Sequence, residues 1–164
     1  ILVINLDEEQ FRAGNYEGKD KVKKYVEEKN IPLVEICAKT EYEIQQLDEE
    51  DKKLFMEDLG ITETGISRLA TAMYNYLGLI SFLTVGEDEV RAWPIKKGTN
   101  AKAAGGKIHS DIERGFIRAE VISYNDFISV DGDFTVAKQK GVLRLEGKEY
   151  EVKDGDIITF RFKV

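Results

Sequence analysis

The unbroken apolar run Ile1–Ile4 constrains the start of this chain more than any other feature. Aliphatic residues without polar alternation mark a parallel strand covered on both faces. After it, Val22, Tyr25 and Val26 recur at i, i+3 and i+4 and predict a short helix. Asn30 is placed to close that helix in the left-handed conformation, and Pro32 prevents it from continuing. "LVEI", Leu33–Ile36, then reads as a second buried strand, completing one βαβ crossover. A single crossover cannot bury both of its faces, so the expectation is a missing partner in an upstream portion. The polar residues Asn5, Asp7 and Glu8 follow the first strand at its carboxyl end, where open α/β sheets place their ligands.

Beyond residue 40 the spacing becomes helical. Asp48 is positioned to N-cap "EEDKKLFMEDL", whose acidic first turn suits the positive end of the helix dipole, and Gly60 ends it. Ile66, Leu69, Ala70, Met73 and Leu77 form one apolar face of a further helix stopped by Gly78. From Leu79 the period changes to two. "SFLTV" and "VRAWPI" around the turn "GEDE" predict a hairpin, with Pro94 on an edge strand. A Lys/Gly/Ala-rich segment, taken as a loop, is followed by a short helix over "HSDIERGF" and a strand over "IRAEVISY". Two or three strands end the chain. In the last, Ile158, Phe160, Phe162 and Val164 share one face against Thr159, Arg161 and Lys163, which predicts a half-buried strand. The outcome is an α/β remnant over residues 1–40, a helical connection over 41–81 and an α+β domain over 82–164. The last would hold a mixed sheet of four or five strands with one or two small helices on one face.

Charge and cysteine content narrow the function. Cys37 is the single cysteine, which excludes an internal disulfide framework or an all-cysteine zinc site. With no secretory signal and no long apolar run, the expected compartment is the cytoplasm, without a membrane partner. The net charge of −7 belongs to residues 1–80, which carry 10 basic against 17 acidic residues; residues 81–164 carry 14 of each. Within that neutral half, Lys96, Lys97, Lys102, Lys107, Arg114 and Arg118 cluster in sequence, so local rather than net charge governs that surface.

Two separated clusters converge on one family. "NLDEEQF", "EICAKTEYEIQQL", "VRAWPIKKGTNAKAAGGKIHSDIERGFIRAEVISYNDF" and "EGKEYEVKDGDIITFRF" together resemble the YchF/Obg-like ATPases, relatives of the translation-factor P-loop NTPases. The resemblance covers almost the whole chain. It implies that residues 1–40 are the last βαβ of an NTPase domain and residues 82–164 a TGS domain, a ubiquitin-like β-grasp module. It also implies that Asn5, Leu6, Asp7 and Glu8 replace the Asn-Lys-x-Asp motif of ordinary GTPases. There the Asp accepts two hydrogen bonds from guanine and the Lys stem covers the ring. Glu8 would push its carboxylate into the space guanine needs, and Leu6 would keep apolar cover without a cation. ATP would therefore be preferred over GTP. Cys37, Ala38 and Lys39 match the Ser-Ala-Lys loop whose backbone meets the base edge.

The chain contains no G-x-x-x-x-G-K-[ST] and no recognisable magnesium-binding Asp, so it should not hydrolyse ATP itself; the parent would bind nucleotide with magnesium. "GTNAKAAGGK" has the wrong spacing for a phosphate loop, since Lys107 is not followed by Ser or Thr. The residues alone leave its lysines either as a solvated loop or as phosphate contacts. The resemblance implies ribosome or structured-RNA binding through them, without DNA specificity. Trp93 is expected in the core. His109 is expected to anchor a helix start with Asp111 or Ser110 as cap, and Cys37 to be inert. Asp154 and Asp156 frame a turn at Gly155, with no metal implied. The alternative reading is a non-enzymatic β-grasp adaptor that binds protein through its sheet face.

Overall fold

A computed structural model describes residues 1–86 and 88–163, which form two compact units divided between Leu77 and Gly78. The first contains β1 (Leu2–Asn5), α1 (Glu8–Ala13), α2 (Lys19–Lys29), β2 (Leu33–Ile36), α3 (Ala38–Gln46), α4 (Glu49–Asp58) and α5 (Gly65–Tyr76). β1 and β2 pair in parallel, from Leu2 opposite Leu33 to Asn5 opposite Ile36. The expected stops hold. Asn30 closes α2 at φ 50°, and Asp48 accepts from the backbone N–H groups of Glu50 and Asp51 to cap α4.

Two expectations about burial fail in this unit. Val34 is buried, but Val3 is 39% exposed, so β1 is open on one face rather than covered on both. One crossover helix can cover only one face. The apolar face expected of α5 is also largely solvent-facing: Ile66, Met73 and Leu77 are exposed. The cause lies at the helix start. The buried Glu41 carboxylate accepts from the Gly65 N–H at 2.7 Å, and a Cβ at Gly65 would sit 2.8 Å from Ile36 Cγ2. Close docking of this glycine fixes how α5 meets β2. Arg68 and Ala72 then line a hollow with Leu33, Val34 and Glu35, while Ile66 and Met73 face solvent.

The second unit contains β3 (Leu79–Val85), β4 (Val90–Lys96), α6 (Ala101–Ile108), α7 (Ser110–Arg114), β5 (Phe116–Ser123), α8 (Tyr124–Ile128), α9 (Phe134–Gln139), β6 (Arg144–Glu146) and β7 (Asp156–Phe162). They build a five-stranded mixed sheet in the order β4-β3-β7-β5-β6, with β3 and β7 parallel and the other neighbours antiparallel. β4 lies at an edge, as Pro94 requires. Glu87 of the "GEDE" turn and Val164 of the last strand lie outside the described residues.

The sheet is covered on both faces. Phe82, Ile95, Ala119, Val121 and Ile158 pack with Ala101 and Ala104 of α6. On the reverse, Leu83, Ile122 and Ile157 meet Phe127, Phe134 and Ala137 of α8 and α9. This corrects the expectation of helices on one face. In the last strand Asp156, Ile157 and Ile158 are buried and Phe160 packs on the core while Arg161 is exposed, as the alternation predicts, but Phe162 is exposed as well. Asp156 is held by the Tyr150 hydroxyl at 2.8 Å and the Lys153 N–H at 2.8 Å, so its burial is compensated. The supposed Lys/Gly/Ala loop is α6. Asn100 caps it by accepting from Ala103 N–H at 2.9 Å, and its small residues Ala101, Ala104 and Gly105 form the buried face. Glycine disfavours helix locally, but the close approach to Ile112 is available only without a Cβ.

Gly115 faces the backbone of Lys163, and an added Cβ would drive into the Lys163 carbonyl. Gly115→Ala is therefore expected to destabilise the protein by at least about 2 kcal/mol. Gly147→Ala, where a Cβ meets nothing within 4 Å, should be nearly neutral in the same urea denaturation.

Candidate functional site

Parallel pairing sends two loops out of the same end of β1 and β2, so their residues become neighbours despite their separation in sequence. Leu6 N–H donates to the Ile36 carbonyl at 2.8 Å, extending the ladder into the loops. Asn5 Oδ1 then accepts from Ala38 N–H at 2.9 Å and joins one loop to the other. The Asp7 carboxylate is occupied locally. It accepts from Gln10 N–H at 2.8 Å while Gln10 Oε1 accepts from Asp7 N–H at 3.3 Å, a reciprocal capping box that starts α1. Glu8 consequently sits in the first turn of α1, and Lys39 in the first turn of α3. Their side chains meet at 2.8 Å, with Glu43 a further 3.9 Å neighbour of Lys39.

Six residues were expected at this site, and the structure gathers all six around one pair of strand ends. They do not share one environment. Leu6 and Cys37 are buried beneath the loops, whereas Asn5, Glu8, Ala38 and Lys39 reach solvent. The Lys39 hydrogen bond and charge hold the Glu8 carboxyl below its ordinary range, and the same contact raises the Lys39 ammonium. The cleft that Glu8 lines with Phe11, Arg12 and Thr40 measures only ≈ 30 Å³, far below the several hundred Å³ typical of ligand cavities. These loops form an edge rather than an enclosed pocket.

The cations of the second unit are exposed but lie on different surfaces. Lys102 and Lys107 project from α6, and Arg114 ends α7 in an ion pair with Asp111. Ala119 and Val121 point into the α6-side core, so alternation turns Arg118 to the opposite sheet face. Lys96 follows Ile95 and turns the same way. Lys97 lies in the turn after β4. The six do not make one continuous loop surface, because α6 is a helix packed on the sheet. Sequence reasoning missed Arg161, which neighbours Arg118 across β5 and β7 and pairs with Glu120 at 3.0 Å. Its place in the Thr159, Arg161, Lys163 alternation was the available signal.

Other expectations divide similarly. The His109 ring itself caps α7, Nδ1 accepting from Asp111 N–H at 3.1 Å, which corrects the assignment of that cap to Asp111 or Ser110. Trp93 is partly buried against the core, donates to Thr84 Oγ1 at 3.0 Å and carries the Arg91 guanidinium over its ring. Among the described residues, no group of three or more His, Cys, Asp or Glu side chains could hold a metal ion. Nor is any helix long and apolar enough to cross a membrane.

Comparison with known proteins adds an independent line. A family described as "YchF-GTPase_C: Protein of unknown function" matches residues 79–163. The chain is 47% identical over 166 residues to "Ribosome-binding ATPase YchF" of Bacillus subtilis (strain 168), covering all of this chain and 45% of that protein. It is 44% identical to the Haemophilus ducreyi protein of the same name, again over its whole length and 44% of the relative. The chain thus spans a little under half of these relatives. Its fold matches the Schizosaccharomyces pombe YchF GTPase with a TM-score of 0.86 and 30% identity, covering 98% of this chain and 43% of that one.

The Glu8–Lys39 pair has a defined pH signature. Because the Glu8 carboxyl is depressed, its share of stability is present above the ordinary glutamate range and is lost as pH falls through the lowered value. The raised Lys39 ammonium contributes below the ordinary lysine range and ceases to do so as pH rises through its own value. Carbon-13 NMR titration should find Glu8 titrating below the ordinary glutamate range, and Lys39→Met should return it toward that range.

Proposed function

The chain belongs to the YchF family, and from that membership we propose that it supplies the base-facing edge of a P-loop nucleotide hydrolase together with a TGS module of β-grasp fold. The observation that carries this reading is the linked pair of loops at the carboxyl ends of β1 and β2, the position at which open α/β sheets bind ligands. With one lone pair of Asn5 Oδ1 given to Ala38, the amide keeps its NH2 donors and one further lone pair. That combination matches the N7 acceptor and N6 amino donor of adenine, whereas guanine offers two acceptors along the same edge. Leu6 and Cys37 support the loops from below, and the backbone of Ala38 and Lys39 lies against the base.

In this reading the full-length parent binds and hydrolyses ATP, and GTP less well. Magnesium and the phosphate loop act from residues outside this chain, and this chain holds no catalytic residue. The small cleft beside Glu8 agrees with a pocket completed elsewhere. The second unit supports a β-grasp assignment through the parallel pairing of its first and last strands at the sheet centre. We assign ribosome or structured-RNA contact to Lys96, Lys97, Lys102, Lys107, Arg114 and Arg118, in the cytoplasm. The relatives named ribosome-binding ATPases support that partner. The adaptor reading keeps one observation in its favour: Val90, Ile117 and Leu145 are exposed apolar residues of the sheet domain.

Salt separates the two. Phosphate contacts by several lysines should weaken binding at least about tenfold between low and moderately high salt, while an apolar interface should change little. Neutralising Lys96, Lys97, Lys102 and Lys107 together in the full-length parent should reduce ribosome co-sedimentation and flatten its salt dependence. Unchanged sedimentation would remove the RNA reading. Nucleotide turnover by this chain alone would contradict its non-catalytic assignment.

A further inference from the structure

The relatives carry names that say ATPase in some cases and GTPase in another, so what sets the base preference is a live question for this site. Resting on the nucleotide site proposed above, we infer that Lys39 is a specificity-determining residue that acts by occupying the Glu8 carboxylate. Guanine differs from adenine in demanding a carbonyl-directed donor at O6 and an acceptor for its N1–H and 2-amino group. One backbone donor and one carboxylate acceptor of these loops are already engaged. Ala38 N–H donates to Asn5 Oδ1 at 2.9 Å. Glu8 Oε1 meets Lys39 Nζ at 2.8 Å.

Both engagements have causes in the local fold. Ala38 starts α3, where a backbone N–H lacks an intrahelical acceptor, and the register of Asn5 against Ile36 delivers an acceptor there. Cys37, the residue ahead of it, makes no side-chain cap bond, so Asn5 from the other strand serves instead. Glu8 and Lys39 each stand in the first turn of a helix that begins at its strand end, which brings their side chains together without a loop rearrangement. A carboxylate held by Lys39 gives guanine no free acceptor for its N1–H and 2-amino group in exchange for the water it must shed. Adenine has neither an N1–H nor a 2-amino group and so does not call on the Glu8 carboxylate. The extra methylene of Glu8 thus matters because it reaches Lys39, in addition to any space it takes from a base.

The test compares two variants of the full-length parent by equilibrium titration with fluorescent ATP and GTP analogues. Lys39→Met leaves a carboxylate with no partner at 2.8 Å and should raise GTP affinity relative to ATP on the order of tenfold. Glu8→Gln breaks the same ion pair but frees no carboxylate, so it should keep the ATP preference. A ratio unchanged in Lys39→Met, or shifted equally in both variants, overturns the inference, since equal shifts would mean only that the loops had loosened. A wild-type parent with no ATP preference, or with no nucleotide binding, instead overturns the nucleotide-site reading on which the inference rests.

Discussion

The parallel register of β1 against β2 is the constraint on which the rest of the first unit depends. It places Asn5 opposite Ile36, so that one side chain crosses to Ala38 and the two loops behave as a single edge. A one-residue slip would turn every side chain to the opposite face and remove Asn5 from reach. The helices beginning at those loops take their direction from the same ends. Asp7 starts α1, Ala38 starts α3, and the Glu8–Lys39 pair spans the gap between their first turns. None of these contacts is strong alone. The Glu8 and Lys39 side chains are substantially exposed, so solvent screens their attraction and the pair contributes position more than stability.

The second unit solves a different problem. Its sheet packs small residues of α6 on one face and the α8–α9 segment on the other, and the α6 side relies on very close approach. Gly105 beneath Ile112 and Gly115 against Lys163 mark where the backbone comes nearest. Asp156 stabilises the turn into β7 by gathering Tyr150, Lys153 and, at 3.6 Å, Arg144 around one buried carboxylate. Burial, with a smaller contribution from Asp156, keeps the Tyr150 hydroxyl protonated beyond its ordinary range. These devices serve packing, and they leave the basic residues distributed over opposite surfaces.

Local signals were read well from sequence, and signals set by tertiary contact were not. Leu33–Ile36, the Asn30 stop, the Asp48 cap and the edge position of Pro94 each follow from chemistry within a few residues, and each is present. The helix α6 was missed because its two glycines oppose helix locally, while their value lies in close contacts with Ile112 and Glu113 of α7 that form only once the unit folds. The α5 apolar stripe was visible, yet the side that packs was decided by Gly65 and the distant Glu41. At the candidate site, residue types and their gathering at one sheet end were legible from the strand–helix–strand pattern and the family resemblance. The partnership of Glu8 with Lys39 was not, because no local spacing links residues so far apart in the chain.

The central claim is that the joined loops of Asn5–Glu8 and Cys37–Lys39 face a nucleotide base. The most direct measurement is a crystal structure of the full-length parent with a non-hydrolysable ATP analogue. The account predicts an adenine edge within about 3 Å of the Asn5 amide, with Ala38 and Lys39 beside it. An adenine bound away from both loops, with Asn5 and Glu8 turned to bulk water, would contradict it.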